Sequence, residues 1–358
     1  MIIQSKQKLI LIATVFLPAV LLLGGALRVL AGANRAVVAT DVGGVLTSNT
    51  TWTIENSPYI VTQTIGIPTG ITLTIEAGAT VIATDSPEDS SGLYPLFVQT
   101  GGHLEAIGTS DDPIVFTSFQ DSAAGEWTAI YIAGSANLQH TNFRYSEFNV
   151  VVEGASDEPI VIQDSLFSNS SDVGMEIAVE ALHRMQLLNN EFANNAQNSI
   201  RIFRYYDGEQ LTDDVVLQPQ IGLDGYLFED YHSMSYPRLI VPEEITLTLQ
   251  AGTTLLMPKN GVLEVHGHLL TTGNSDNLVH IMGTPELVAN EEKWTAVSFN
   301  EETSSGEMVY TTIQHAIEGI SLYTANGGNV VMSDSKIANG DVAILTTPLR
   351  CIGYKWIT

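Results

Sequence analysis

The sequence holds one cysteine, Cys351, in 358 residues. No intrachain disulfide can form and a cysteine-rich zinc site is excluded, so packing and hydrogen bonds must hold any fold together. Basic residues are also scarce, with 14 Lys and Arg against 40 Asp and Glu and a formal charge of −26. Lys6, Lys8 and Arg28 belong to the first 33 residues, which contain no acid, so the remainder sets 11 bases against 40 acids, or −29. A surface of this sign repels nucleic acid and anionic lipid and makes both poor partners. Solvation is the simpler role of the acids, and calcium is the one cation a site among them would take; no other cofactor is indicated. Helical periodicity is nearly absent beyond the N-terminus, Met175–Leu188 being the one ambiguous stretch.

Long apolar runs are missing too, with one exception. Lys6 and Lys8 precede the uncharged run Leu9–Leu23, and Ala31-Gly32-Ala33 follows. That is the order of a secretory signal peptide, and the expectation is export with cleavage after Ala33. The uncharged stretch reaches Leu27, long enough to cross a bilayer, so a retained anchor over residues 1–33 is the alternative. A membrane enters only through this segment.

What is present is repetition. Ile71-Thr-Leu-Thr-Ile-Glu-Ala-Gly78 returns as Ile245-Thr-Leu-Thr-Leu-Gln-Ala-Gly252. Gly102-His103-Leu104 returns as Gly267-His268-Leu269, and Trp127-Thr-Ala129 as Trp294-Thr-Ala296. Two related halves are expected within residues 34–358, at about 45–200 and 220–345. A finer period lies inside them: Ile160-x-Ile162-x-Asp164-Ser165-x-Phe167-x-Asn169 is followed 25 residues on by Met185-x-Leu187-x-Asn189-Asn190-x-Phe192-x-Asn194. Leu138, His140, Phe143 and Tyr145 hold the equivalent places upstream, and Val330 to Asn339 repeats the pattern later. Alternation sends Ile160, Ile162 and Phe167 to one face of a strand, and a period of 24–25 residues describes one coil of short strands separated by turns. The Asp or Asn at 164, 189 and 334 and the Asn at 169, 194 and 339 are expected to stack at turns as side-chain ladders.

With Trp52-Thr-Ile-Glu-Asn-Ser-Pro-Tyr-Ile-Val61, Gly102-His-Leu-Glu-Ala-Ile-Gly108 and Pro113-Ile-Val-Phe-Thr117, these repeats resemble bacterial exported right-handed parallel β-helix proteins of the pectin-lyase-like superfamily, over roughly residues 45 to 345. The resemblance implies an all-β right-handed parallel β-helix. It does not imply one activity, because the superfamily includes lyases, hydrolases, adhesins and surface proteins.

Hydrolases of that fold combine clustered aspartates with Gly-His-Gly and Arg-x-Lys elements. Here Asp111-Asp112, Gly102-His103-Leu104 and Arg201-Ile202-Phe203 complete none of these. A lyase needs acidic calcium ligands and a base, and Arg201, Arg204, Asp207, Asp213 and Asp214 supply the residue types where a strand leads into a longer loop. The competing reading of the same residues is solvated loop pairs. Tyr205 and Tyr206 are candidate sugar-stacking residues. Aligning the halves sets Tyr226 opposite Trp52 and Phe228 opposite Ile54, which marks the latter aromatics as fillers of a repeat's first strand. Recurring His103/His268 and Trp127/Trp294 read as packing residues of the coil.

The expectation is therefore an extracellular or cell-surface β-helix that presents a lateral surface to carbohydrate or another envelope component. A polysaccharide lyase or hydrolase is the rival, and a structural spacer the third reading. From Pro348 the repeat is abandoned without a visible cap, so either the natural chain continues past Thr358 or its end folds differently.

Overall fold

The structure, a computed structural model, describes residues 39–84, 94–154, 156–206, 208–232, 236–323 and 329–346. The leader, Asp207, Cys351 and the stretch from Pro348 lie outside the described residues. Within them the chain is a parallel β-helix. Strands consecutive in sequence go to different sheets, and each pairs in parallel with the strand one coil away: Ile160 lies beside Met185, and Phe143 beside Phe167. Among the described residues the strands form sheets of 17, six, five and five. Such parallel returns are right-handed because that hand suits the twist of the strand.

Alternation places the core inside the coils. Ile160, Ile162 and Phe167 are fully buried, and Phe116, Phe143, Phe167 and Phe192 stack through the interior with ring centroids 5.1, 5.1 and 5.0 Å apart and nearly parallel planes. That spacing follows the 4.7–4.9 Å between neighbouring strands. Equal rings at equal register positions therefore stack.

The Asp/Asn positions do something other than the side-chain ladder expected of them. Asp164, Asn169, Asn189, Asn194, Asp334 and Asn339 all have φ between 49° and 59°, the left-handed region that Asn and Asp tolerate best. Their first contribution is to let the backbone bend at the corner of a coil. One side-chain contact joins two of them, from Asn189 Nδ2 to Asp164 Oδ1 at 3.3 Å on the surface. The buried rungs come from the following residue: Ser165 N–H donates to Asn190 Oδ1 (3.1 Å), and Ser170 N–H to Asn195 Oδ1 (3.0 Å). Those rungs satisfy main-chain donors that the corner takes out of the ladders.

Met175–Leu188 divides into the strand Val173–Ala178, a 3-10 turn Val179–Arg184 and the strand Met185–Leu188. The six-stranded sheet stops at Met185–Leu188, and a five-stranded sheet begins with Val215–Leu217. Gln220 spans the interruption by donating from Nε2 to the Leu187 carbonyl (3.2 Å). An α-helix that periodicity does not reveal, Pro285–Ala289, is started by Thr284, whose side chain accepts from Leu287 N–H. No helix among the described residues is long and apolar enough to cross a membrane.

Candidate functional site

The outer side of one strip of the 17-stranded sheet gathers the chemistry. Inward residues alternate with outward ones, so a row of outward neighbours runs from coil to coil as Phe97, Tyr131, Val151, Glu176, Arg201 and Leu227. Five strand spacings make it roughly 24 Å long.

At its centre, Arg201 is 5% exposed between the core residues Ile200 and Ile202. Its guanidinium donates to Glu176 Oε1 (2.5 Å) and to both oxygens of Asp172 (2.8 and 3.1 Å), and its Nε lies 3.0 Å from Glu229 Oε2. The Phe148 ring covers the cluster, 6.0 Å from the guanidinium carbon. Burial alone would lower the Arg201 pKa. The hydrogen bonds of Asp172, the charge of Glu229 and the bond to Glu176 outweigh it and raise the pKa, so this arginine stays charged. For Glu176 the order is reversed: burial raises its pKa against the lowering effect of Arg201.

Two groups of aromatic rings lie near the cluster, close enough to each other for Tyr205 to act on Tyr94 and Tyr131. Tyr131 packs against Tyr94 and Phe97, each 4.9 Å away between centroids, and its hydroxyl donates to Glu153. In the second group Tyr205 stacks on Tyr231 at 5.1 Å and 20°, with Phe203 tilted against it at 5.0 Å. Tyr205, Tyr206 and Tyr231 are exposed. The loop that carries the first two is held by Glu209, whose carboxylate accepts from the N–H of Tyr205 (2.7 Å) and of Tyr206 (3.2 Å). Burial, followed by the neighbouring carboxylates, pushes the Tyr94 phenol up to about 12. Burial also raises Tyr131, Tyr205 and Tyr231, so all four are neutral phenols that can stack on a ring or share a hydrogen bond.

Several readings of the sequence are corrected here. Arg201 and Arg204 are not solvated loop residues: both belong to the strand Gln197–Arg204, and Arg204 forms a buried ion pair with Asp230 at 2.7 Å. Arg201 is buried because its outward position lies beneath neighbouring aromatic and acidic side chains, whereas Arg204 lies on the inward face of the strand with Ile200 and Ile202. Asp213 and Asp214 do not join them. Asp213 accepts from the N–H of its neighbour Asp214 (2.7 Å), and Asp214 accepts from the N–H of Thr246 one coil on (2.7 Å), so the first makes a local bond and the second links two coils. Tyr226 and Phe228 are buried, yet they are not the counterparts of Trp52 and Ile54. The strand Gly225–Asp230 pairs with Gln197–Arg204, while Trp52 belongs to the six-stranded sheet and Ile54 is exposed.

The recurring residues make matching local contacts. Trp127 and Trp294 donate indole N–H to the carbonyls of Arg144 and Gln314, both at 2.8 Å. His103 and His268 each lie against a serine one coil on, Ser135 at 2.9 Å and Ser305 at 2.6 Å. Asp112 closes a turn, its carbonyl accepting from Thr109 and Gly78. No group of three or more His, Cys, Asp or Glu among the described residues is placed to hold a metal ion.

The residues that sequence reasoning passed over are Tyr94, Phe97, Tyr131, Glu153, Asp172, Glu176 and Glu229. One signal was available: Glu176 and Arg201 carry opposite charges 25 residues apart, one coil period, at outward positions.

Residues 44–159 match the family model described as a pectate-lyase like beta helix domain. The match covers Tyr94, Phe97, Tyr131 and Glu153 and ends before Glu176 and Arg201. It supports a carbohydrate-related role. No curated protein and no solved structure matches the chain.

Proposed function

We propose that the protein is an exported, secreted or cell-surface β-helix that binds carbohydrate along this outer face without cleaving it. The observation that carries the reading is the placement of neutral tyrosines, Tyr94 with Tyr131 and Tyr205 with Tyr231, near the Arg201 ion cluster. Aromatic faces suit the apolar side of a sugar ring, and flanking carboxylates accept from its hydroxyls. Export rests on the charged, apolar and small-residue order of residues 1–33. Carbohydrate of an envelope or matrix is the partner this reading implies.

Binding is favoured over cleavage because the groups needed for chemistry are occupied. A lyase base must be able to lose its proton, and three carboxylates hold Arg201 charged. Arg204 is sealed against Asp230. Polyuronates are repelled by a mature charge of −29 unless calcium bridges them. One observation favours the rival reading of polysaccharide cleavage: the raised pKa of Glu176 is the property of a proton donor.

The purified mature protein, incubated with polygalacturonate and neutral glycans in calcium and in chelator, separates the two. We expect retention on at least one immobilised neutral glycan, with no unsaturated product in ultraviolet absorbance and no new reducing ends. Calcium-dependent product that disappears in Arg201→Ala or Arg204→Ala, or calcium-independent product that disappears in Glu176→Gln, would replace binding with catalysis.

A further inference from the structure

Both halves of the chain carry the same histidine–serine contact, and the first carries a carboxylate as well. His103 and Ser135 are direct neighbours in the six-stranded sheet, as His268 and Ser305 are in the five-stranded sheet that begins with Val215–Leu217. In each pair the histidine Nδ1 meets the serine Oγ, at 2.9 and 2.6 Å. At the next outward position, two residues on, the first half has Glu105 and the second has Leu270. Glu105 Oε2 lies 3.0 Å from His103 Nε2. The second half stacks its coils with the histidine–serine pair alone, so the repeat itself does not require the glutamate.

A carboxylate can only accept, so Glu105 holds the proton of a neutral His103 on Nε2 and leaves the Nδ1 lone pair for the Ser135 hydroxyl. That is the order of nucleophile, base and orienting acid that activates a serine. None of the three is sealed from solvent: the side chains of His103 and Glu105 are 35% and 31% exposed, and Ser135 is half-buried. We propose that Ser135, His103 and Glu105 form an acyl-transfer site on the outer face of the six-stranded sheet, one that hydrolyses neutral carboxylic esters.

Two groups beside Ser135 favour the negative charge of a tetrahedral intermediate. Asn137 stands on the same strand face, and its Nδ2 is held only loosely, by Glu105 Oε1 at 3.4 Å. Arg184 is 3% exposed beneath the corner that leads into Ser135, where its guanidinium donates to the carbonyl of Gly134 and, at 3.4 Å each, to those of Ala133 and Gly154. These acceptors are all main-chain, and Glu158 and Asp157 act on the arginine only through their charge. Its own charge therefore stays available to an anion nearby.

In the reaction Ser135 Oγ bonds to the ester carbonyl carbon while its proton passes to His103 Nδ1. The ester C–O bond then breaks, and the leaving alkoxide takes that proton. Water, giving a proton to Nδ1, releases the acyl group as a carboxylic acid and restores Ser135. Glu105 and the mature charge of −29 disfavour anionic esters, which leaves neutral ones. Such a step leaves glycosidic bonds intact. The site shares no residue with the tyrosine face, so either reading can fail alone.

The mature protein should be incubated with a fluorophosphonate, which phosphonylates activated serines, and digested for mass spectrometry. Ser135 takes up the label and Ser305 does not, a comparison that needs no variant. With p-nitrophenyl acetate the protein releases nitrophenol above the blank, and Ser135→Ala abolishes the release. His103→Gln lowers it about a hundredfold, the low end of what a general base supplies. Glu105→Gln keeps size but not charge. It lowers kcat at least about tenfold with KM unchanged, and the thermal midpoint stays in place because exposed pairs contribute little to stability. A glutamate that merely ties coils together would leave kcat alone. An unlabelled Ser135, equal labelling of Ser135 and Ser305, or ester turnover that survives Ser135→Ala would overturn the proposal.

Discussion

The two faces of a single strand differ more than the two ends of the helix do. On Gln197–Arg204 the inward residues Ile200 and Ile202 belong to the common core, while Arg201 between them is held by three carboxylates from the neighbouring coils on either side. The inner face repeats because stacking rewards the same shape at the same place in each coil, as the four phenylalanines show. The outer face has no such constraint. From coil to coil it changes from Phe97 to Tyr131, Val151, Glu176 and Arg201, and that freedom is what allows it to carry a binding surface.

The inner face should break most severely. Phe167→Ala removes a ring stacked on both sides and should cost about 3–5 kcal/mol by the large-to-small rule for buried aromatics. Chemical denaturation of this variant beside Phe143→Ala would measure it. A neutral result would mean that Phe167 does not point inward, since a slip of one residue turns every side chain to the opposite face.

The outer face should break in a pH-dependent way. Arg201→Met leaves Glu176 buried beside Asp172 and Glu229 without a counterion and should cost about 2–3 kcal/mol at neutral pH. The figure is below that of a fully buried pair because the side chains of Asp172 and Glu229 are 32% and 33% exposed. Glu176 has a raised pKa in the folded state, so the folded protein holds the proton more tightly than the unfolded chain. Stability from this group is therefore fully present below the ordinary glutamate range and is lost as pH rises through the folded pKa. The loss of Arg201 raises that pKa further. The gap in stability between variant and wild type should therefore shrink on acidification towards the ordinary range, and a gap constant with pH would show that Glu176 is not the group left stranded.

The corners give the smallest effect and one of opposite sign. Tyr145 has a φ of 66° at a position where the coils that follow carry Asn169 and Asn194. Tyr145→Asn should stabilise by about 0.5–1 kcal/mol, because Asn tolerates the left-handed region better than Tyr. Asn169→Val should destabilise by a similar or larger amount, and thermal melts of the two variants moving in the same direction would contradict this account of the corners.

How much of this was legible follows from the same contrast. Phe143, Phe167 and Phe192 could be placed from their 24- and 25-residue spacing, because one stacking geometry serves every coil. The bends at Asp164, Asn169 and Asn189 were visible as recurring residue types, although their main-chain role was hidden by the expectation of side-chain ladders. The Arg201 cluster was not assembled. Its partners come from positions 172, 176 and 229, and only the strand register brings them together. The long connection after Arg204 then breaks the period, so Tyr231 could not be set beside Tyr205 by counting. The short helix after Thr284 was announced by Thr284-Pro285-Glu286, a local signal that periodicity does not detect.

The central claim, that the face between Tyr131 and Tyr231 binds neutral carbohydrate, is tested most directly by ring-labelled tyrosine NMR during titration with hexamers of β-1,4-linked glucose, mannose and N-acetylglucosamine. The account predicts that the ring signals of Tyr131, Tyr205 and Tyr231 shift together and saturate at one concentration, while those of the buried Tyr59 and Tyr226 stay in place. Saturation of the protein with a bound hexamer while the signals of Tyr131, Tyr205 and Tyr231 remain unmoved would contradict it.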